Sequence, residues 1–252
     1  MQNSIKTLAE IEWRDGQPYA SAFQDVYFSS DNGLLETEYV FLQGNHLPTR
    51  WQQLATNHLN SHTFTSAETG FGTGLNFICA AKLWLETSPS NAMLHYISVE
   101  KYPLSLQDIT SALALWPALQ AFSEPLLATY ESLCNGLETT LLFENRIKFS
   151  LLIGDATERL CNIHNRIDAW FLDGFAPSKN PDMWQGTLFE QMARLSNLEA
   201  TFATFTSAGV VRRGLLAAGF EVTKQPGFGK KREMLTGRFL VNKKAVVNHH
   251  DA

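Results

Sequence analysis

The order of extended and helical segments predicts an α/β fold. The expected architecture is a Rossmann-like, mostly parallel sheet with an antiparallel C-terminal hairpin and an N-terminal extension. Three features carry this expectation. From Thr63 onward, short apolar strands alternate with helical stretches. The first of these strands runs into a glycine-rich turn that opens a helix. The last two strands follow each other with no helix between them. Short, almost wholly apolar strands joined by helices require a sheet covered on both faces.

Residues 1–62 read as an irregular lead-in that packs on the catalytic domain. Asp15-Gly16 separates the extended stretches Ile11–Trp13 and Pro18–Ala20 as a hairpin turn would. Val26-Tyr27-Phe28 is strand-like, and a helix is expected over Leu34–Leu42 after Asn32-Gly33. The main domain, 63–241, begins with a strand over Thr63–Ala67 and a helix over about Leu75–Leu85. Leu94–Val99 is a strand ending in Glu100. Helices follow around Ser105–Leu115 and Ala118–Tyr130, separated by Trp116-Pro117. Ile147–Ile153 is a strand ending in Gly154-Asp155, with a helix from Ala156. Ala169–Leu172 is a strand ending in Asp173-Gly174. Thr201–Phe205 is a strand followed by a helix to Ala218. Phe220–Lys224 and Glu233–Val241 form the closing pair, and 242–252 is a tail or linker stub.

The 252 residues are 44% hydrophobic and 12% aromatic, enough for one sizeable core. No apolar run follows Met1, so no secretory signal is expected. Phe77–Leu85 is apolar but short and contains Lys82, so no membrane span is expected. Cys79, Cys134 and Cys161 are far apart, which fits a reducing cytoplasm better than a disulfide framework. His58 and His62 have helical ligand spacing but no third ligand follows, so surface histidines are the reading and no metal is expected.

The chemistry concentrates at strand ends. In Glu68-Thr69-Gly70-Phe71-Gly72-Thr73-Gly74 the glycines let the backbone turn tightly and approach a ligand at a helix N-terminus. A dinucleotide fingerprint needs its third glycine where this chain has Leu75, which weakens a nicotinamide-dependent oxidoreductase. Glycines at alternate positions after an acidic residue give instead the ExGxGxG form of class I methyltransferases, which bind S-adenosylmethionine. Glu100, after the second strand, suits the two ribose hydroxyls. Asp155 suits the adenine amino group beside the Ala156 N–H, and Asp173 points into the same crevice. Any one of these carboxylates alone reads equally well as a solvated strand end or helix cap. The expected cofactor-binding set is Glu68, Gly70, Gly72, Gly74, Asn76, Glu100, Lys101, Asp155, Ala156 and Asp173.

Longer segments carry a family resemblance. Glu68 to Phe77, Asp168 to Trp184, Ala203 to Gly209, Val211 to Gly214 and Gly227 to Leu235 resemble the methyltransferase domain of the MnmC family, which includes the single-function MnmD relatives. Asp25-Val26-Tyr27-Phe28-Ser29 with Asp31-Asn32-Gly33 also fits, so the resemblance spans nearly the whole chain. It departs at Ser196-Asn197-Leu198-Glu199-Ala200, where a Pro-Gly-Gly-like turn is expected. The resemblance implies methylation of the amino group of 5-aminomethyl-(2-thio)uridine at the tRNA wobble position. It implies the tRNA anticodon arm as partner. In two-function members an FAD-dependent oxidoreductase domain follows, and this chain is too short to contain it. Asp173 is then the expected group that orients the amine and accepts its proton. Phe175 or Trp184 packs against the base, or both are core aromatics. Tyr27 and Asp31 are expected to close over the site.

Net charge is −5, yet 201–244 holds nine basic residues against Glu221 and Glu233. Lys230, Lys231 and Arg232, beside two glycines and Phe228, suit contact with backbone phosphate next to a stacked base. Two rival readings stay open at this level. One is a class I methyltransferase of a small amine or hydroxyl compound, which the basic cluster disfavours. The other is a non-catalytic module that binds adenosylmethionine or RNA, which Asp173 disfavours.

Overall fold

The computed structural model describes residues 7–28, 32–54 and 63–240. Asp31, the His58/His62 pair and the expected tail lie outside the described residues. An antiparallel meander leads: β1 (Ile11–Arg14), β2 (Gln17–Ala20) and β3 (Asp25–Val26). Asp15 and Gly16 both have positive φ, as a two-residue primed turn requires, and Arg14 pairs with Gln17. Strand β3 stops at Val26, so the expectation for Tyr27 and Phe28 is corrected. Phe28 packs edge-on against Trp116 and Tyr27 turns to the site. Next comes α1 (Gly33–Thr37), whose first turn is capped by the Asn32 side chain accepting from Leu35 N. The single helix expected over Leu34–Leu42 is instead α1 followed by a wider π-helical turn, Glu38–Gln43. Helix α2 (Leu47–Gln53) completes the extension.

The main domain alternates as expected, with several additions. In chain order it runs β4 (Thr63–Thr69), α3 (Leu75–Thr87), β5 (Met93–Glu100), α4 (Leu106–Leu113), α5 (Gln120–Ser132) and β6 (Thr139–Leu142). Then come β7 (Ile147–Ile153), α6 (Ala156–Cys161), β8 (Ile167–Leu172), α7 (Gly186–Leu195), β9 (Ser196–Thr204), α8 (Gly209–Ala218), β10 (Phe220–Pro226) and β11 (Glu233–Phe239). Strand order is β10-β11-β9-β8-β4-β5-β7-β6. The run from β9 through β7 is parallel, whereas β11 and β6 are antiparallel to their neighbours. The chain leaves β4 toward β5 and β7, then crosses back to β8 and β9. This places a topological switch point between β4 and β8, where open α/β sheets bind ligands.

Strand β6 and helix α7 have no counterpart in the sequence reading. The segment Ser196–Ala200, expected as a turn, belongs to β9. It carries a bulge, since Ile167 pairs with Ser196 while Ala169 already pairs with Thr201.

Alternation along β8 sends Phe171 to one face and Trp170 with Leu172 to the other. The first face meets α2, α3 and α5 through Trp51, Phe77, Trp84 and Tyr130, with Phe77 stacked 4.2 Å from Phe149. The second meets α6, α7 and α8 through Leu160, Phe189 and Leu215. The extension is bound to this sheet by polar contacts. Asn45, fully buried, donates to Phe41 O and Trp170 O and accepts from Thr201 Oγ1 at 2.7 Å. Arg50 donates to Thr201 Oγ1 and Asp168 O.

Asn45→Ala leaves the Trp170 carbonyl and the Thr201 hydroxyl short of a partner, at a cost of roughly 1–3 kcal/mol. Urea unfolding of the variant checks this. A change below about 0.5 kcal/mol would mean the extension is not held through Asn45.

Candidate active site

At the carboxyl ends of β4 and β8 two backbone segments come close together. Gly70 has φ +82, and a Cβ there would stand 3.1 Å from Gly174 Cα. Thr69 Oγ1 donates to Asp173 O at 2.8 Å, and Gly70 N donates to Val99 O. Only glycine permits both this φ and this approach. Around the junction opens a cavity of about 730 Å³, lined by the glycine loop, the ends of β5, β7 and β8, and the N-terminal extension.

Of the expected cofactor set, Gly70, Gly72, Asn76, Glu100, Lys101, Asp155, Ala156 and Asp173 lie in the cavity wall. The two Glu100 oxygens accept from Gly72 N at 2.9 Å and Tyr102 N at 2.8 Å. Burial pushes this carboxyl above its usual range, and those bonds work against the shift. Asp155 performs the cap role as well as facing the cavity. Its Oδ1 accepts from Thr157 N at 3.0 Å, and its Oδ2 accepts from Lys101 Nζ at 3.3 Å. Two members of the set are corrected. Glu68 is 1% exposed and lies behind the loop, accepting from Ser98 Oγ at 2.6 Å and Asn76 Nδ2 at 2.9 Å. Burial pushes it up to about 8. Gly74 caps α3 with φ +78, packed toward Phe71 and outside the wall. Both build the loop and neither faces the cavity.

Asp173 sits where the loop meets the aromatic part of the cavity. Its carboxyl accepts from Asn76 Nδ2 at 2.7 Å and from Gly174 N at 2.8 Å. Burial pushes it up to about 7, opposed by those two bonds. Phe175 lies in the wall, stacked on Phe23 at 4.5 Å and met edge-on by Tyr27 at 5.3 Å. Trp184 is corrected to a core residue. It is 2% exposed, lies outside the wall, and donates from Nε1 to Phe175 O at 2.9 Å, so it supports Phe175 from behind.

The basic stretch divides. Lys230 and Lys231 line the cavity, while Arg232 is exposed outside it. Lys231 turns inward to Glu36, Lys224 pairs with Glu233, and Arg238 pairs with Glu221 and Glu199. The free cationic patch expected at 230–232 is thus partly neutralised inside the protein. The sequence reading missed Phe23, Glu36, Thr37 and Phe205 in the wall, and Phe228, noted there only as part of the basic turn, lines it too. Phe23, Glu36 and Thr37 had no sequence signal beyond proximity to Tyr27 and Asn32-Gly33, whereas Phe205 falls in the Ala203 to Gly209 segment that carries the resemblance. No group of three or more His, Cys, Asp or Glu placed to hold a metal occurs among the described residues. None of their helices is long and apolar enough to cross a membrane.

The cavity fits a nucleoside-bearing methyl donor. The glycines leave room for close approach, a Cβ on Gly72 standing 3.2 Å from Tyr27, and carboxylates end β5 and follow β7 in the expected order. Residues 117–239 match a family described as S-adenosyl-L-methionine-dependent methyltransferase. Fold and glycine loop are those of the class I methyltransferase architecture, and the family match is to enzymes dependent on adenosylmethionine. The chain is 52% identical over 239 residues to the tRNA 5-methylaminomethyl-2-thiouridine biosynthesis bifunctional protein MnmC of Methylobacillus flagellatus, across 95% of this chain and 36% of that protein. Identity to the Chromobacterium violaceum protein of the same name is 54% over 229 residues, across 91% and 34%. The resemblance is to the methyltransferase domain of the MnmC proteins, and the chain spans about a third of the length of these curated relatives. The crystal structure of MnmC2 from Aquifex aeolicus shares the fold, with a TM-score of 0.72 at 20% identity over 96% of this chain and 75% of that one.

Glu100→Ala should weaken adenosylmethionine binding about tenfold or more, because a charge-assisted pair is lost. For the native protein, donor affinity should be full above the raised Glu100 pKa and decline as pH falls through it. Calorimetry at several pH values tests both, and an unaltered Kd in Glu100→Ala would remove Glu100 from the donor site.

Proposed function

We propose that this chain methylates the primary amine of 5-aminomethyl-(2-thio)uridine at the tRNA wobble position, giving the 5-methylaminomethyl form. The observation that carries this reading is Asp173. A carboxylate pushed to about 7 stands between the donor-binding loop and an aromatic wall. The names of the relatives point to the same nucleoside. When bound, adenosylmethionine supplies an activated methyl group, so the protein needs no covalent nucleophile. Its residues must hold the acceptor nitrogen in line and free its lone pair.

An alkylamine resembles lysine and arrives mostly as the ammonium at neutral pH. Asp173, fixed by Asn76 and Gly174 N–H, accepts one ammonium hydrogen and takes that proton first, which would free the nitrogen lone pair for the donor's methyl group as the methyl–sulfur bond breaks and adenosylhomocysteine leaves. Tyr27 and Phe175 offer ring faces and edges for the pyrimidine, and Trp184 holds the Phe175 backbone from behind. Lys230 and Arg232, with Arg212 and Arg213 on α8, serve backbone phosphates of the anticodon arm. In the bifunctional relatives the second activity, which we assign to an FAD-dependent oxidoreductase, supplies the amine. Such chemistry on tRNA belongs in the cytoplasm.

The direct test is nucleoside analysis of the wobble uridine after incubation with labelled donor and tRNA from cells lacking this methylation. Absence of label at the 5-aminomethyl group would overturn the reading. Asp173→Asn should lower kcat by about 10²–10⁴ while donor Kd changes little. In the native chain kcat/KM should rise with pH through about 7, as Asp173 loses its proton. That rise should vanish in the variant, and its deficit should shrink as the amine deprotonates at high pH. Normal turnover of Asp173→Asn at neutral pH would remove Asp173 from the mechanism.

A further inference from the structure

One ion pair in the cavity wall differs from those on the surface. Lys82–Glu86, Lys224–Glu233 and the Arg238 pairs are exposed on both sides, as ordinary surface pairs are. Glu36 is only 8% exposed, and its Oε1 accepts from Lys231 Nζ at 2.7 Å. The same ammonium lies 4.3 Å from the centroid of the Phe205 ring. Glu36, Lys231 and Phe205 all line the cavity that holds Asp173. Both charges reach Asp173, Glu36 raising its pKa and Lys231 lowering it.

Glu36 is also mechanically joined to Asp173. The next residue, Thr37, donates to Asn76 Oδ1 at 2.8 Å, and Asn76 Nδ2 donates to Asp173 at 2.7 Å. A carboxylate together with an aromatic face is the chemistry that recognises an alkylammonium. What occupies it is the primary alkylammonium of a lysine, the same functional group as the acceptor.

We propose that Glu36 and the face of Phe205 form the subsite that receives the acceptor's alkylammonium, and that Lys231 fills it as a tethered surrogate until tRNA enters. This rests on the reading that the acceptor is a primary amine. The two carboxylates then divide the work. Glu36 holds one N–H of the incoming ammonium, and Asp173 holds another and removes its proton. Lys231 lies in the turn between β10 and β11, with 42% of its side chain exposed, so it has an outward path when displaced. The surrogate spares Glu36 the cost of a buried, unpaired charge in the free protein.

Steady-state kinetics on tRNA carrying the aminomethyl wobble uridine test this, with Glu36→Gln, Lys231→Met and the double variant. Salt at about 0.3 M screens phosphate contacts. Glu36→Gln should raise KM about tenfold while kcat changes less than about threefold, with donor Kd by calorimetry altered less than about twofold. Lys231→Met should lower KM, because the tethered competitor is gone. The double variant leaves no unpaired charge, which guards against misfolding, and should keep the raised KM of Glu36→Gln. A Glu36→Gln variant with native KM, or a Lys231→Met variant as impaired as Glu36→Gln, would reduce the pair to a structural anchor and overturn the subsite. Native protein that leaves this tRNA unmethylated would overturn the functional reading and the subsite together. Native transfer with unaltered Glu36→Gln would overturn the subsite alone.

Discussion

The side-chain amide of Asn76 meets two carboxylates and a hydroxyl where four elements converge. Its Nδ2 donates to Glu68 on β4 and to Asp173 after β8, and its Oδ1 accepts from Thr37 on α1. Burial pushes both carboxyls up, to about 8 and about 7. An amide suits the position because it has two N–H groups for two acids and one acceptor for the hydroxyl. The switch point of the sheet, the helix that follows the glycine loop and the N-terminal extension are thereby locked into one unit. The direction in which the Asp173 carboxyl faces follows from that lock.

The extension is therefore part of the architecture of the cavity. Asn45 and Arg50 bind it to β8 and β9, and Tyr39 Oη donates to Pro226 O at 3.0 Å at the start of the basic turn. On the other side of the cavity Asp25 Oδ2 accepts from Ala176 N at 3.2 Å, close to the Phe23–Phe175 stack. The aromatic wall thus draws on both ends of the chain, and neither end completes it alone. Electrostatics follow the same plan. The basic stretch near the C-terminus is balanced by Glu36, Glu199, Glu221 and Glu233, so its outward field is weaker than its composition suggests.

Much of this protein was legible in residue order. Strand–helix alternation, the glycine spacing and the strand-end acids Glu100, Asp155 and Asp173 depend on local periodicity and backbone freedom, which sequence carries directly. The antiparallel closing pair follows from the missing helix between its strands, whereas right-handed crossovers only narrow the strand orders that the pattern allows. Strand β6 and helix α7 were not legible. Thr139–Leu142 is a short, half-exposed edge strand, and α7 opens on Gly186 after a run of turn-like residues. Its apolar face acquires meaning only against β8 and α8.

Which acid faces ligand and which supports the loop was decided by tertiary structure. Glu68 and Asp173 are both carboxylates near glycines at the end of a parallel strand, yet one is turned inward to Ser98 and the other lines the cavity. Trp184 and Phe175 are likewise alike in sequence context, but only Phe175 reaches the wall. Lys231 reads as one of three surface cations until α1 brings Glu36 beside it from 195 positions away. Residue type and spacing determine which backbone shapes and which chemistries are available. Direction, burial and partner depend on contacts between segments distant in the chain, and those exist only once the sheet has closed and the extension has docked on it.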